Sequence, residues 1–239
     1  MLFAFDVGDC NMNGGSSHLP RVAEHDWFQA LADCTLKPLR AGDVVYNDGD
    51  AADFVYKVVH GVIRITTTTY GGYRTIHAFH VDGDIFGIER RPTHLSCAEA
   101  VSEAQVLRCS RLRLEAIMTS DPAVVHQLWS HILKSAERAE AMCLLRHAHA
   151  VDKVAYFLLE MSAPLGVDTR IELPMSRFDI ADYLGMSSET VSRAFTVLRR
   201  SGLILTKGRL VTLKNAVALR KLVGDALRHR GLQSDIRCG

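Results

Sequence analysis

Between residues 36 and 110 turn residues recur about every ten positions, and that rhythm leaves few folds open. Asp43-Val44-Val45-Tyr46 runs into Asn47-Asp48-Gly49-Asp50, and Phe54-Val55-Tyr56-Lys57-Val58-Val59 is followed by Gly61. Val62-Ile63-Arg64-Ile65-Thr66-Thr67 leads to the pair Gly71-Gly72, and Thr75-Ile76-His77-Ala78-Phe79 leads to Gly83-Asp84 and Gly87. No helix survives this density of glycine and β-branched residues. The pattern predicts an antiparallel β-sandwich or roll.

The period then changes. From Asp121-Pro122 to about His149, the residues Leu128, Ile132, Ser135, Ala139, Met142 and His149 fall on three- and four-residue steps, an a/d-type seam. Pro122 suits the first turn of a helix after Asp121. At 1.5 Å per residue that helix is on the order of 40 Å long. A stripe of small and apolar residues over such a length most simply packs against its twin from a second subunit, which predicts a homodimer.

The last third reads as helices again. Val151, Val154, Ala155, Leu158 and Met161 mark an amphipathic helix stopped by Pro164-Leu165-Gly166, and Ile171-Glu172-Leu173-Pro174 is a short extended piece. Ser176-Arg177-Phe178-Asp179 has the form of a capping box opening a helix that carries Phe178, Ile180, Ala181 and Leu184. Gly185 breaks it where a left-handed residue is needed, and Ser187 caps the next helix. Helix, glycine turn, helix is the helix-turn-helix layout. In the second helix Val191, Phe195 and Leu198, spaced i, i+4, i+7, form one apolar stripe. Glu189, Ser192 and Arg193 share another face. Arginine can grip the O6/N7 edge of guanine and glutamate can accept from the cytosine amino group, so this helix is expected to read base edges in a DNA major groove. The plainer alternative for Glu189 and Arg193 is a solvated intrahelical ion pair. Beyond it, Gly202–Leu205 and Arg209–Leu213 flank Lys207-Gly208, a wing with a basic tip. Ser187, Thr190, Arg199, Arg200, Lys207 and Arg209 are cast as phosphate contacts, which set affinity and register but not sequence. Leu219, Leu222, Val223 and Leu227 indicate a final helix.

This predicts an α+β chain in four parts: a flexible arm at 1–24, a β-roll at 25–120, a dimerisation helix at 121–150 and a winged helix-turn-helix at 151–239. Charge is distributed accordingly. The net charge is only +1, yet residues 151–239 hold fourteen Lys and Arg against nine Asp and Glu, while the rest of the chain is acidic. The six cysteines (Cys10, Cys34, Cys97, Cys109, Cys143 and Cys238) are dispersed without a CxxC pair, so neither a disulfide framework nor a zinc site is expected. No run of about 18 apolar residues and no signal-like N-terminus occur, which points to a cytoplasmic protein without a membrane partner.

A glycine-punctuated β-roll, a long helix and a winged helix-turn-helix together resemble the Crp/Fnr family of bacterial transcription regulators, over roughly residues 25–215. Glu189-Thr190-Val191-Ser192-Arg193 is similar to the Glu-x-x-Ser-Arg recognition signature of the Fnr/FixK branch, and Phe178-Asp179-Ile180-Ala181-Asp182-Tyr183-Leu184-Gly185 agrees with that branch. The resemblance implies that Glu189 and Arg193 read a G·C pair and that Ser192 meets a neighbouring thymine. It also implies a target palindrome of TTGAT-type half-sites, bound by a two-fold dimer. An activator that contacts RNA polymerase at microaerobic or anaerobic genes is the implied role.

In cyclic-nucleotide-binding relatives a Gly-Glu stretch and a later Arg-Ser pair hold the ribose and phosphate. Here the matching region resembles Gly83–Glu89, and the later pair resembles Leu95-Ser96; leucine cannot neutralise a buried phosphate. A [4Fe–4S] cluster needs four thiolates, and the clustered N-terminal trio of the oxygen sensors is missing. The expectation is therefore a FixK-type regulator without a cofactor. The alternative is a β-roll that holds haem, with His77 and His80 as candidates, or another small effector. Cys143 and Cys109 are the candidates for redox modulation. A metal-dependent enzyme in the roll is not expected, because histidines three apart on a strand face opposite sides.

Overall fold

In the computed structural model, which describes residues 34–68, 71–162 and 170–234, the glycine-punctuated half folds into two four-stranded antiparallel sheets. The strands are β1 (Thr35–Leu39), β2 (Val44–Tyr46), β3 (Phe54–His60), β4 (Ile63–Thr68), β5 (Arg74–His80), β6 (Ile85–Phe86), β7 (Cys97–Ala100) and β8 (Ala104–Ser110). One sheet runs β1-β8-β3-β6 and the other β2-β7-β4-β5. Because successive side chains alternate across a strand, Tyr56, Val58, Phe86 and Val106 of the first sheet meet Tyr46, Ile63 and Ala98 of the second. Gly61 turns β3 into β4 at φ +95°; a Cβ there would stand 2.5 Å from the Glu103 carbonyl oxygen, so this turn packs against the β7–β8 turn only as glycine.

Two helices follow, α1 (Arg111–Ser120) and α2 (Pro122–Leu145). Asp121 accepts from the Ala123 amide and Pro122 occupies the first turn of α2, as the sequence suggests. Val124 and Leu128 of α2 join Leu114, Cys109, Val55 and Ile85 in a small core on the outer face of the first sheet. The 24 residues of α2 span about 36 Å. Its end is set by buried Leu145 and by the tight turn beyond, where Arg146 N–H bonds Cys143 O and Ala148 N–H bonds Leu145 O.

The chain then runs through α3 (Ala150–Ser162), β9 (Arg170–Glu172), α4 (Arg177–Leu184), α5 (Ser188–Arg200), the hairpin β10 (Ile204–Lys207) and β11 (Leu210–Leu213), and α6 (Ala216–Ser234). β9 completes a three-stranded sheet in the order β10-β11-β9. Phe157, Leu158, Ile180, Val191, Leu198 and Leu219 form the centre of this half. Its core does not stop there: Val62, Ile76, Phe79 and Val81 of the β-roll belong to the same cluster. The Phe79 ring meets Tyr183 edge-on at 5.4 Å and Phe157 at 6.1 Å.

The arm at 1–24, Cys10, Cys238 and the helix stop at Pro164-Leu165-Gly166 lie outside the described residues. Among the described residues no helix is long and apolar enough to cross a membrane, and no group of three or more His, Cys, Asp or Glu is placed to hold a metal ion.

Candidate nucleic-acid interface

The helix-turn-helix is set by short-range bonds. Ser176 Oγ accepts from the Asp179 amide (3.0 Å) while Asp179 Oδ2 accepts from the Ser176 amide (3.1 Å), the reciprocal capping box. Gly185 ends α4 at φ +63°, and Ser187 Oγ then accepts from the Thr190 amide (3.1 Å) to start α5. Buried Ala181 lets the two helices cross closely. Phe178, expected on the apolar face of α4, is instead 73% exposed. Arg177, Ile180, Ala181 and Leu184, spaced i, i+3, i+4 and i+7, take the inner face, and Phe178 lies off it. The Arg177 guanidinium carbon stacks 3.3 Å from the centre of the Phe195 ring. Arg177 thereby braces the second helix, a role no local signal in the sequence marks.

α5 has the two faces its spacing predicts. Val191, Ala194, Phe195 and Leu198 are buried, and Glu189, Ser192 and Arg193 point outward. Arg193 Nη2 donates to Glu189 Oε1 at 2.5 Å, with the side chains 79% and 72% exposed. Such an exposed i, i+4 pair contributes only about 0.3–0.5 kcal/mol, so a base edge can displace it at little cost. Ser192 Oγ donates to Ser188 O (2.8 Å), leaving its lone pairs outward. The plainer reading of Glu189 and Arg193 therefore describes the free protein without competing with the base-reading one.

The residues cast as phosphate contacts separate into two sets. Ser187 and Thr190 sit at the start of α5 with their hydroxyls 2.8 Å apart, Arg199 and Arg200 extend exposed from its last turn, and Lys207 stands at the wing tip. Arg209 is exposed too, but it lines a cleft of about 500 Å³ between wing and β-roll with His60, Asp82, Glu103 and Glu172. Its surroundings are acidic.

The six seam residues do not form one open stripe. Leu128 is buried against the β-roll, Met142 packs against the winged-helix core, and His149 lies beyond the end of α2. Ile132, Ser135 and Ala139 are exposed. The exposed apolar side chains are Val125, Trp129, Ile132, Leu133 and Leu144, with Ala136 and Cys143 along the same line. The open stripe therefore runs one residue later than the seam read from spacing, because α1 and the first sheet take the Val124–Leu128 edge for themselves.

In the β-roll, buried His94 stacks on Tyr46 with ring centres 3.6 Å apart, and its Nδ1 lies 3.5 Å from Glu89. The Tyr46 hydroxyl bonds Ser96. Tyr56 and Phe86 continue this aromatic filling, and His80 stacks on Phe86 at 5.3 Å. Thus Glu89 and Ser96, within the segments that resemble a nucleotide site, are engaged with the roll's own side chains. Leu95 is half-exposed. Asp84 is buried and accepts from Arg138 of α2 at 2.9 and 3.4 Å, with Lys134 at 3.6 Å. Burial alone would raise its carboxyl, but the Arg138 bonds and charge outweigh that and hold it below its ordinary value. Arg138 also reaches Glu160 of α3 (3.4 Å), which accepts from the Tyr183 hydroxyl of α4 (3.0 Å). His77 is exposed and bonded to Thr67, whereas His80 faces inward, where burial pushes it down to about 4. The two histidines do not converge. Cys109 is buried in the small outer core and Cys143 is exposed on α2.

Comparison with known proteins agrees with this architecture. A family profile described as a Crp-like helix-turn-helix domain matches residues 152–222, and one described as a cyclic nucleotide-binding domain matches residues 36–121. The nitrogen fixation regulation protein FixK of Azorhizobium caulinodans is 40% identical over 185 residues, covering 74% of this chain and 75% of that protein. The transcriptional activator protein FnrA of Stutzerimonas stutzeri is 29% identical over 228 residues, covering 92% and 93%. Among solved structures, FixK2 from Bradyrhizobium japonicum superposes with a TM-score of 0.72 at 38% identity, covering 79% of this chain and 96% of that one.

Proposed function

This chain belongs to the Crp/Fnr family of DNA-binding transcription regulators and is FixK-like, and on that premise we propose that it acts as a homodimer reading a TTGAT-type palindrome. Glu189 and Arg193 read the G·C pair, Ser192 meets the adjoining thymine, and Ser187, Thr190, Arg199, Arg200 and Lys207 hold phosphates. The observation that carries this reading is the exposed Glu189–Arg193 pair at the start of a helix whose opposite face is anchored in the core. Arg209, in its acidic cleft, is the weakest member of the phosphate set. The bound protein acts as an activator of microaerobic or anaerobic genes through contact with RNA polymerase.

The exposed stripe of α2 supports the dimer, since Trp129, Ile132 and Leu133 are more apolar surface than a lone helix leaves in water. Ile132→Glu is expected to turn a dimer into a monomer in sedimentation at micromolar concentration, and a variant that stays dimeric moves the seam elsewhere. The aromatic filling of the β-roll, and the engagement of Asp84, Glu89 and Ser96 with internal partners, support action without cyclic nucleotide.

A gel shift with purified protein on the palindrome and on a scrambled copy, with and without reductant, tests the whole reading. Binding to the palindrome alone, with no effector added and no Soret band in the absorption spectrum, is the expected result; equal binding to both DNAs refutes it. Dependence on reductant would direct attention to Cys143, the exposed thiol among the described residues. Lys207→Ala is expected to weaken binding to every sequence alike and to lower the salt slope by about one unit per wing. A change in sequence preference instead would make Lys207 a base contact.

A further inference from the structure

The β4–β5 hairpin is bound to the winged helix by a charge cluster centred on a buried carboxylate, Asp179. Arg64 Nη1 and Arg74 Nη2 both donate to Asp179 Oδ1, at 3.0 and 2.7 Å, and Arg74 Nε lies 3.6 Å from Asp182. Arg64 is itself preset by Glu99 of β7, at 2.6 and 3.3 Å. The other Asp179 oxygen accepts from the Ser176 amide and hydroxyl. One carboxylate therefore both starts α4 and ties it to the roll. Asp179 is 6% exposed and the Arg64 side chain 15%, so that pair is not a solvent-screened one, and Arg74 joins it from a side chain 40% exposed. Beside it Ile76 and Phe79 enter the winged-helix core, and Asp84–Arg138–Glu160–Tyr183 makes a second polar bridge through α2 and α3. Domains joined by a small polar interface move freely; one that shares its core and two buried polar bridges does not.

We infer that this hairpin is a strut that fixes the direction of the reading helix, with Arg64 and Arg74 as positioning residues that set which spacing of half-sites the dimer accepts. The inference rests on the dimeric DNA-binding reading above. Two recognition helices fit a palindrome only about one helical turn apart, and one extra base pair shifts the second half-site by about 3.4 Å and turns it by about 34°. A winged helix loose on its roll follows such a shift; one held by the strut does not. Two connections converge on α4: one from α2 through Arg138, Glu160 and Tyr183, the other from the β4–β5 hairpin through Asp179.

The test compares the wild-type chain with the Arg64→Gln/Arg74→Gln double variant on palindromes of the best spacing, of one base pair more and one less, and on an isolated half-site. The wild type is expected to discriminate between spacings by about tenfold or more. The double variant is expected to bind the best palindrome about tenfold more weakly, to discriminate by less than about threefold, and to bind the isolated half-site as the wild type does. Arg64→Lys/Arg74→Lys, which keeps the charges but not the fork that joins Glu99 to Asp179, is expected to restore part of the discrimination. A double variant with the wild-type spacing profile overturns the strut even though the palindrome is bound. Hydrogen exchange on the free protein tests it without DNA: α4 and α5 amides should exchange about tenfold faster in the double variant, with β3 and β8 unchanged. Unchanged exchange in α4 and α5 also overturns it, whatever the protein does with DNA.

Discussion

Replacing Arg193 by alanine is expected to weaken binding to a TTGAT palindrome by about 1–3 kcal/mol for each half-site and to relax the preference at the guanine position. The two substitutions in a dimer lie far apart, so their costs add. Folding should be unaffected, because the side chain is 79% exposed and its partner Glu189 is nearly as open. Unchanged melting alongside lost discrimination is thus the signature of a base contact. Arg193→Lys is expected to recover charge but not the bidentate grip, restoring some affinity and little preference. Titrations on the palindrome and on variants at the guanine position measure both quantities. If Arg193→Ala left affinity and preference as they were, the helix would be docked differently.

The second large effect is expected at Arg138, where function is not at stake directly. Arg138→Ala removes the guanidinium between buried Asp84 and Glu160 and is expected to destabilise the fold by about 3–5 kcal/mol. The pH dependence has a definite sign. The Asp84 carboxyl lies below its ordinary value when folded, so its contribution is present above the unfolded pKa and is lost as pH falls through the folded one. Glu160 is opposite: burial raises it, against the pull of Arg138 and the Tyr183 hydroxyl, so it favours folding only while protonated and costs stability as pH rises. Without Arg138 both carboxylates take up protons more readily in the folded state. The deficit of the variant should therefore be largest at neutral pH and shrink in mild acid. Urea unfolding of both proteins at pH 7 and pH 5 reads this, and a deficit that grows on acidification would contradict it.

The parts of the molecule legible in the sequence are those whose signals lie within one element or one turn. The Ser176–Asp179 capping box, the left-handed Gly185 and the stripe Val191, Phe195, Leu198 are each decided by neighbours a few residues away. Spacing shows that a helix face is apolar, not what covers it. That is why Leu128 reads as a seam residue while α1 and the first sheet bury it, and why the stripe left open runs through Trp129. Phe178 fails for a related reason: the inner face of its helix runs through Arg177, Ile180, Ala181 and Leu184, and Phe178 lies off that line. The bridges from Arg64 to Asp179, 115 residues apart, and from Asp84 to Arg138, 54 apart, have no periodicity to reveal them. The stack of His94 on Tyr46 is equally silent, though it decides what fills the roll.

The shared core also dictates an order of events at the ribosome. Arg74 leaves the exit tunnel 105 residues ahead of the Asp179 that will cover it, and Ile76 and Phe79 follow close behind Arg74. At about 5–20 residues per second the hairpin stands finished, with its apolar edge in water, for roughly 5–20 s before α4 is synthesised. The DNA-reading half cannot complete its interior until it docks on a surface made long before it. That docking joins groups 105 residues apart, and contacts of such sequence separation are slow to form.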